Sequence, residues 1–112
     1  MSSLIYCTAQ FKPRPGCDLE LFRVLQSLEP NTLREDGCVQ YRVTRQIASP
    51  FAEGTSYPIV FHEVWRDIES FERHCQREEI QAFFARYCEA EAGLAEAWNV
   101  CIYTDEPALG LV

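Results

Sequence analysis

The chain has 112 residues, 47% of them hydrophobic and 24% charged, a size and balance that suit one globular domain and leave no room for two. Ten Lys and Arg against 17 Asp and Glu give a formal charge of −7, which repels a polyphosphate backbone at long range, so nucleic acid is not an expected partner. No apolar run approaches the ~20 residues of a membrane-spanning helix, and the N-terminus lacks the basic-then-apolar order of a secretory signal, so a cytoplasmic chain outside the membrane is expected.

The first element is a strand over residues 4 to 11, where Ile5, Cys7, Ala9 and Phe11 alternate with Leu4, Tyr6, Thr8 and Gln10. Lys12-Pro13-Arg14-Pro15-Gly16 ends it. A helix follows, with Asp18 as the expected N-cap and Leu21, Phe22, Leu25 and Leu28 at helical spacing. Pro30 forces it to stop or restart, and Asn31-Thr32 caps one more short turn before Asp36-Gly37.

Val39, Tyr41 and Val43 alternate with Gln40, Arg42 and Thr44 in a second strand, and 59 to 66 forms a third. The connection between them, Gln46 to Tyr57, exceeds a tight hairpin; such loops serve either as lids and site edges or as plain surface insertions. Asp67 is placed to cap a helix bearing Ile68, Phe71 and Cys75, and a further stripe of Ile80, Phe83, Phe84, Tyr87 and Cys88 runs toward Gly93. A last strand over 97 to 104 sets Trp98, Val100 and Ile102 against Asn99, Cys101 and Tyr103, and a short tail begins at Asp105.

The order β-α-β-β-α(α)-β is that of a ferredoxin-like α+β fold, a four-stranded antiparallel sheet with its helices on one face. Leu4, Tyr6, Val60, Val64, Trp98, Val100 and Ile102 then fall on the face away from the helices. An apolar face of that size calls for a cover, and a homodimer closing sheet on sheet supplies one.

The cysteines at 7, 17, 38, 75, 88 and 101 show no close pairing, so we expect reduced, mostly buried thiols rather than a disulfide framework. Closely spaced ligand pairs are also missing, and no metal is expected. Glu63 is the anomaly of the third strand: it shares a face with Phe61 and Trp65, where a carboxylate is costly to bury unless paired. It is either a functional acid or an edge residue bridged to an arginine such as Arg45. His74 lies three residues past Phe71, beside the sheet-facing stripe of its helix; a neutral imidazole there can accept a proton near neutral pH, or it is simply a boundary residue. Tyr41 and Trp65 could line an aromatic pocket roofed by Phe83, Phe84 and Tyr87. No dinucleotide, Walker, nucleophile-elbow or haem-attachment motif occurs, so no cofactor is expected.

Glu35-Asp36-Gly37-Cys38-Val39-Gln40-Tyr41, then Phe61-His62-Glu63-Val64-Trp65-Arg66-Asp67, then His74 and Gln81-Ala82-Phe83 together resemble the antibiotic biosynthesis monooxygenase domain, over about residues 4 to 104. The resemblance implies a dimeric α+β barrel with a pocket in each subunit, and oxygenation by O₂ of a small electron-rich aromatic such as a quinol, phenol or anthrone without metal, haem or flavin. By position it implies His74 and Glu63 as catalytic residues and Trp65, Tyr41, Phe83 and Tyr87 as substrate-binding residues. Many members carry a second histidine where this chain has Glu79. No histidine follows it, which argues against the haem-degrading relatives. The alternatives are an isomerase or other enolising enzyme, for which Arg42, Arg45 and Arg66 are the candidate phosphate partners, and a non-catalytic dimer that binds a small ligand.

Overall fold

The structure is a computed structural model that describes residues 3–107, so all but the first part of the expected tail lies outside the described residues. Five apolar or small residues facing one way along Ile5–Pro13 make strand β1, which buries Cys7, Ala9 and Phe11. Helix α1, Asp18–Gln26, sets Leu21 and Leu25 against the sheet. Its N-cap position is Cys17 and not Asp18, which sits with Glu20 in the first turn, where carboxylates face the positive end of the helix dipole. The chain restarts at Pro30 as α2, Glu29–Leu33, with proline in the first turn, where a missing N–H costs nothing. The Glu29 carboxylate accepts from the Val43 amide at 2.9 Å and so ties this short helix to the sheet.

Strand β2, Cys38–Arg45, pairs with β3, Ile59–Trp65, and β3 with β1. A bulge between Cys38 and Gln40 shifts the register. Cys38 therefore lies opposite Trp65, and Val39, expected to share the face of Tyr41 and Val43, is exposed. The connection from Gln46 to Pro58 is held by Gln46, whose amide bonds Pro58 O and whose side chain bonds Gly54 O at 2.7 Å and the Ser56 amide at 3.3 Å.

Asp67 caps α3, Ile68–Gln76, by accepting from the Ser70 amide at 2.8 Å. Arg77, in extended conformation, separates α3 from α4, Glu78–Phe83, which runs into a π-helical segment, Phe84–Glu89. The last strand, β4, spans Ala95–Thr104, two residues earlier than its alternation suggests. All pairings are antiparallel and the strand order is β2-β3-β1-β4. This is the ferredoxin-like α+β arrangement, with β2 and β4 as its edges.

The register corrects the assignment of faces. Ala9 pairs with Val100, Phe11 with Trp98 and Cys7 with Ile102, so these β4 residues lie on the helix side and not on the open face. They remain exposed there, because an edge strand extends past the helical layer. The open face keeps Tyr6, Val60 and Val64, as expected, and carries Gln10, His62, Arg42, Asn99 and Tyr103 beside them. Its apolar character, the original ground for a sheet-on-sheet dimer, is weaker than the alternation suggests. All six cysteines are free, but only Cys7 and Cys88 are buried, fewer than expected. Among the described residues, no helix is long and apolar enough to cross a membrane.

Candidate active site

Between the helical layer and the sheet lies a cavity of about 230 Å³. Its wall is largely apolar, built from Phe11 of β1, Leu25 of α1, Phe61 of β3, Phe71 of α3 and Phe83 of α4. A carboxyl group and an imidazole interrupt it, beside the Tyr41 phenol and the Cys75 thiol. Glu63, 5% exposed, comes from β3, and His74, 4% exposed, comes from α3. Strand parity turns Glu63 inward with Phe61 and Trp65, and three-residue spacing from Phe71 brings His74 to the same side of α3. Tyr41 and Phe83 also line the cavity.

Glu63 is neither at an edge nor bridged to Arg45. Its Oε1 accepts from Trp65 Nε1 at 2.9 Å. Burial penalises the anion and pushes its pKa up to about 7, while hydrogen bonds from Trp65 and Cys7 pull the other way without winning. His74 is shifted down, first because burial disfavours the imidazolium; a hydrogen bond and charge from Glu35 oppose this. Near neutral pH the cavity therefore presents a neutral imidazole and a carboxyl group close to its own midpoint. The Tyr41 phenol is pushed up by burial and by Glu63, so it stays protonated.

Aromatic packing sets the ring positions. Tyr41 stacks on Phe61 with centroids 4.2 Å apart and meets the His74 ring edge-on at 5.2 Å. Trp65 is fully buried, 4.7 Å from the His74 ring. It underlies Glu63 and His74 and does not line the cavity. Tyr87 does not line it either; it packs on Phe83 at 5.6 Å, under the Arg86 guanidinium. The two therefore sit behind the wall on which substrate contact was expected. No residue of the 46–58 connection borders the cavity, so this loop is not an edge of the site. Val100 does border it while 43% exposed, placing an opening along β4.

Glu35, at the head of the Glu35–Tyr41 stretch, is a member of the site that the resemblance did not imply. Its Oε2 lies 2.9 Å from His74 Nδ1, so the carboxylate that contacts the imidazole is Glu35 and not Glu63. Thirty-nine positions separate the two residues, and no local spacing signals their meeting. Arg42, Arg45 and Arg66 are exposed and none borders the cavity; Arg66 is engaged by Asp36 and Asp67.

Comparison with known proteins agrees with this fold. The chain superimposes on a crystal structure of a protein from Shewanella oneidensis with TM-score 0.76 and 30% identity, covering 93% of this chain and 92% of that one. A Pseudomonas aeruginosa protein gives TM-score 0.74 at 26% identity, over 95% and 97% of the two chains. A dimeric Bacteroides fragilis protein of unknown function and ferredoxin-like fold gives 0.66 at 13% identity, over 90% and 95%, and supports the fold alone. No curated protein matches. The family model for antibiotic biosynthesis monooxygenases matches residues 4–86, a span that holds Glu35, Tyr41, Glu63, Trp65, His74 and Phe83, and the chain belongs to that family.

Proposed function

We propose that the protein is a cofactor-independent monooxygenase of a small, uncharged, electron-rich aromatic, of which a one- or two-ring quinol is the best fit. The observation that carries this reading is that an imidazole and a carboxyl group border one largely apolar cavity that opens along β4. At about 230 Å³ the cavity is smaller than the ~300–1,000 Å³ typical of sites for drug-sized ligands. Among the described residues no arginine or lysine borders it, which disfavours a phosphorylated substrate and hence the isomerase alternative.

His74 removes the proton from a quinol hydroxyl. The phenolate gives one electron to O₂, and the resulting radical and superoxide combine at the neighbouring ring carbon, forming a C–O bond. Glu63, protonated at this stage, donates its proton to the distal oxygen. Loss of the ring C–H proton then drives O–O cleavage, leaving a carbonyl and releasing water, so one oxygen atom enters the product and one leaves as water. The water carries the ring hydrogen and the proton given by Glu63, and the hydroxyl proton held by His74 restores Glu63.

The exposed edge strand β4, with Trp98, Val100 and Ile102 uncovered beside the cavity opening, supports a homodimer in which a second copy shields this edge. Partners beyond that copy, the aromatic and O₂ are not part of the reading.

The test is oxygen consumption on a panel of quinols, in air and under argon, with wild type and His74→Ala. A positioned base contributes about 10²–10⁴-fold, so His74→Ala should lose that much kcat while still binding the quinol. Turnover that continues under argon would establish the isomerase instead, and binding without turnover in either atmosphere would establish a ligand-binding dimer.

A further inference from the structure

The cavity face of His74 is only half of its surroundings. On the other side, Nδ1 lies 2.9 Å from Glu35 Oε2, and the same oxygen accepts from Arg77 Nη1 at 2.6 Å. Arg77 Nη2 donates to Glu79 Oε1 at 3.3 Å, and Glu79 Oε2 accepts from Asn31 Nδ2 at 3.3 Å. This chain of side chains joins α2, the link into β2, α3 and the α3–α4 junction. Glu35 and Arg77 in the middle of it border a surface hollow with Arg73 and Gln76. Glu79 thus braces Arg77 outside the cavity.

A neutral imidazole has one N–H and one bare nitrogen, and a carboxylate can only accept. Glu35 Oε2 already accepts from Arg77 Nη1 at 2.6 Å and so meets Nδ1 as an acceptor too. The hydrogen of His74 must then sit on Nδ1, which leaves Nε2 without a proton. We infer that Glu35 is a positioning residue: by contact with Nδ1 it selects the tautomer in which Nε2 is free to act as a base. The inference rests on the reading of His74 as the base. Glu35 has a second effect once His74 takes a proton, because the positive charge forms 2.9 Å from a carboxylate, offsetting the burial that opposes it.

The charged and titratable groups around the imidazole are Glu35, Arg77 and Glu79 behind it, Glu63 and Tyr41 from the sheet, and Cys75 next in the chain. Of these, Glu35 and Glu79 favour the imidazolium and Arg77 opposes it. That opposition of signs separates positioning from mere structural support.

The experiment is long-range ¹H–¹⁵N NMR of the full chain labelled at its two histidines, with His74→Ala used to assign the signals. In wild type, His74 should be the Nδ1–H tautomer once neutral. In Glu35→Gln, whose amide can donate as well as accept, the Nε2–H form should gain population and the titration midpoint should fall by about one unit or more. In Arg77→Gln, which leaves Glu35 in place, the Nδ1–H tautomer should persist and the midpoint should rise. An Nε2–H tautomer in wild type overturns the inference, as does an unchanged tautomer and midpoint in Glu35→Gln. If Glu35→Gln does not fold, a fall in the Arg77→Gln midpoint overturns it instead.

With an accepted quinol, Glu35→Gln should lower kcat about 10- to 100-fold, a part of the 10²–10⁴ that a positioned base supplies, with KM changed little; Glu35→Asp should restore part of it. A tautomer that follows Glu35 in a protein that turns over no quinol would sink the monooxygenase reading and leave the positioning role intact.

Discussion

Trp65 Nε1 donates to Glu63 Oε1 at 2.9 Å, two residues along the same strand face. This bond joins a fully buried indole to the carboxyl group of the cavity, so Trp65 tunes the site without touching what binds there. Burial alone would raise Glu63 further; the indole N–H favours the anion and holds it at about 7. Trp65→Phe removes that donor. The alkaline limb of the kcat–pH profile, set by loss of the Glu63 proton, should move upward by about one unit. An unmoved limb would show that Glu63 is not the acid.

The same carboxyl group should leave a mark on stability. Its pKa in the fold, about 7, lies above its ordinary value of 4.5, so the native state holds this proton more tightly than the unfolded chain. Its contribution is fully present below about pH 4.5 and is lost as pH rises through about 7. Glu63→Gln cannot ionise. The variant should therefore gain on wild type between pH 5 and pH 8 by up to about 3 kcal/mol. Urea denaturation at the two pH values measures it, and parallel behaviour of the two proteins would contradict the burial argument.

Gly37 precedes β2 with φ of +91° and gives its carbonyl to the Arg66 amide at 2.8 Å. A Cβ there would collide with the buried Ser70 side chain, which is fixed by Asp67 and Arg73. Gly37→Ala meets both an unfavourable backbone region and a blocked space, and should cost roughly 1–3 kcal/mol. Chemical denaturation reads this directly. Because Glu35 is two residues away, its hold on His74 should loosen as well, seen as a mixed His74 tautomer.

Phe83 is buried and forms part of the cavity wall beside Phe11, edge-on at 5.7 Å. Phe83→Ala enlarges the cavity at a stability cost of about 3–5 kcal/mol. If the wall limits substrate size, kcat/KM for a three-ring anthrone should rise relative to that for a one-ring quinol. A fall for both in equal proportion would place Phe83 in the structural core only.

Much of the fold is legible in local pattern. Period-two alternation marks β1 and β3, helical spacing marks α1 and α3, and Asp67 and Pro30 mark where helices begin. The inward direction of Glu63 and His74 follows from the same periods, since each is set by the nearest residues along its own element. Alternation also separates Trp98, Val100 and Ile102 from Asn99, Cys101 and Tyr103. It does not say which set meets the helices, because β4 carries bulky apolar side chains on both faces; only its register with β1 decides that.

What the amino-acid sequence determined by itself is the order of elements, the family, and the two residues whose chemistry is out of place in an apolar setting. Tertiary structure alone decided that those two border a common void, that Trp65 and Tyr87 stand behind its wall, that the bulge turns Val39 outward, and that Glu35 is the carboxylate at His74. The physical reason is range. Periodicity and capping depend on contacts within one turn or one pleat, whereas the Glu35–His74 contact spans 39 positions and exists only once α3 is packed against the sheet beside the start of β2.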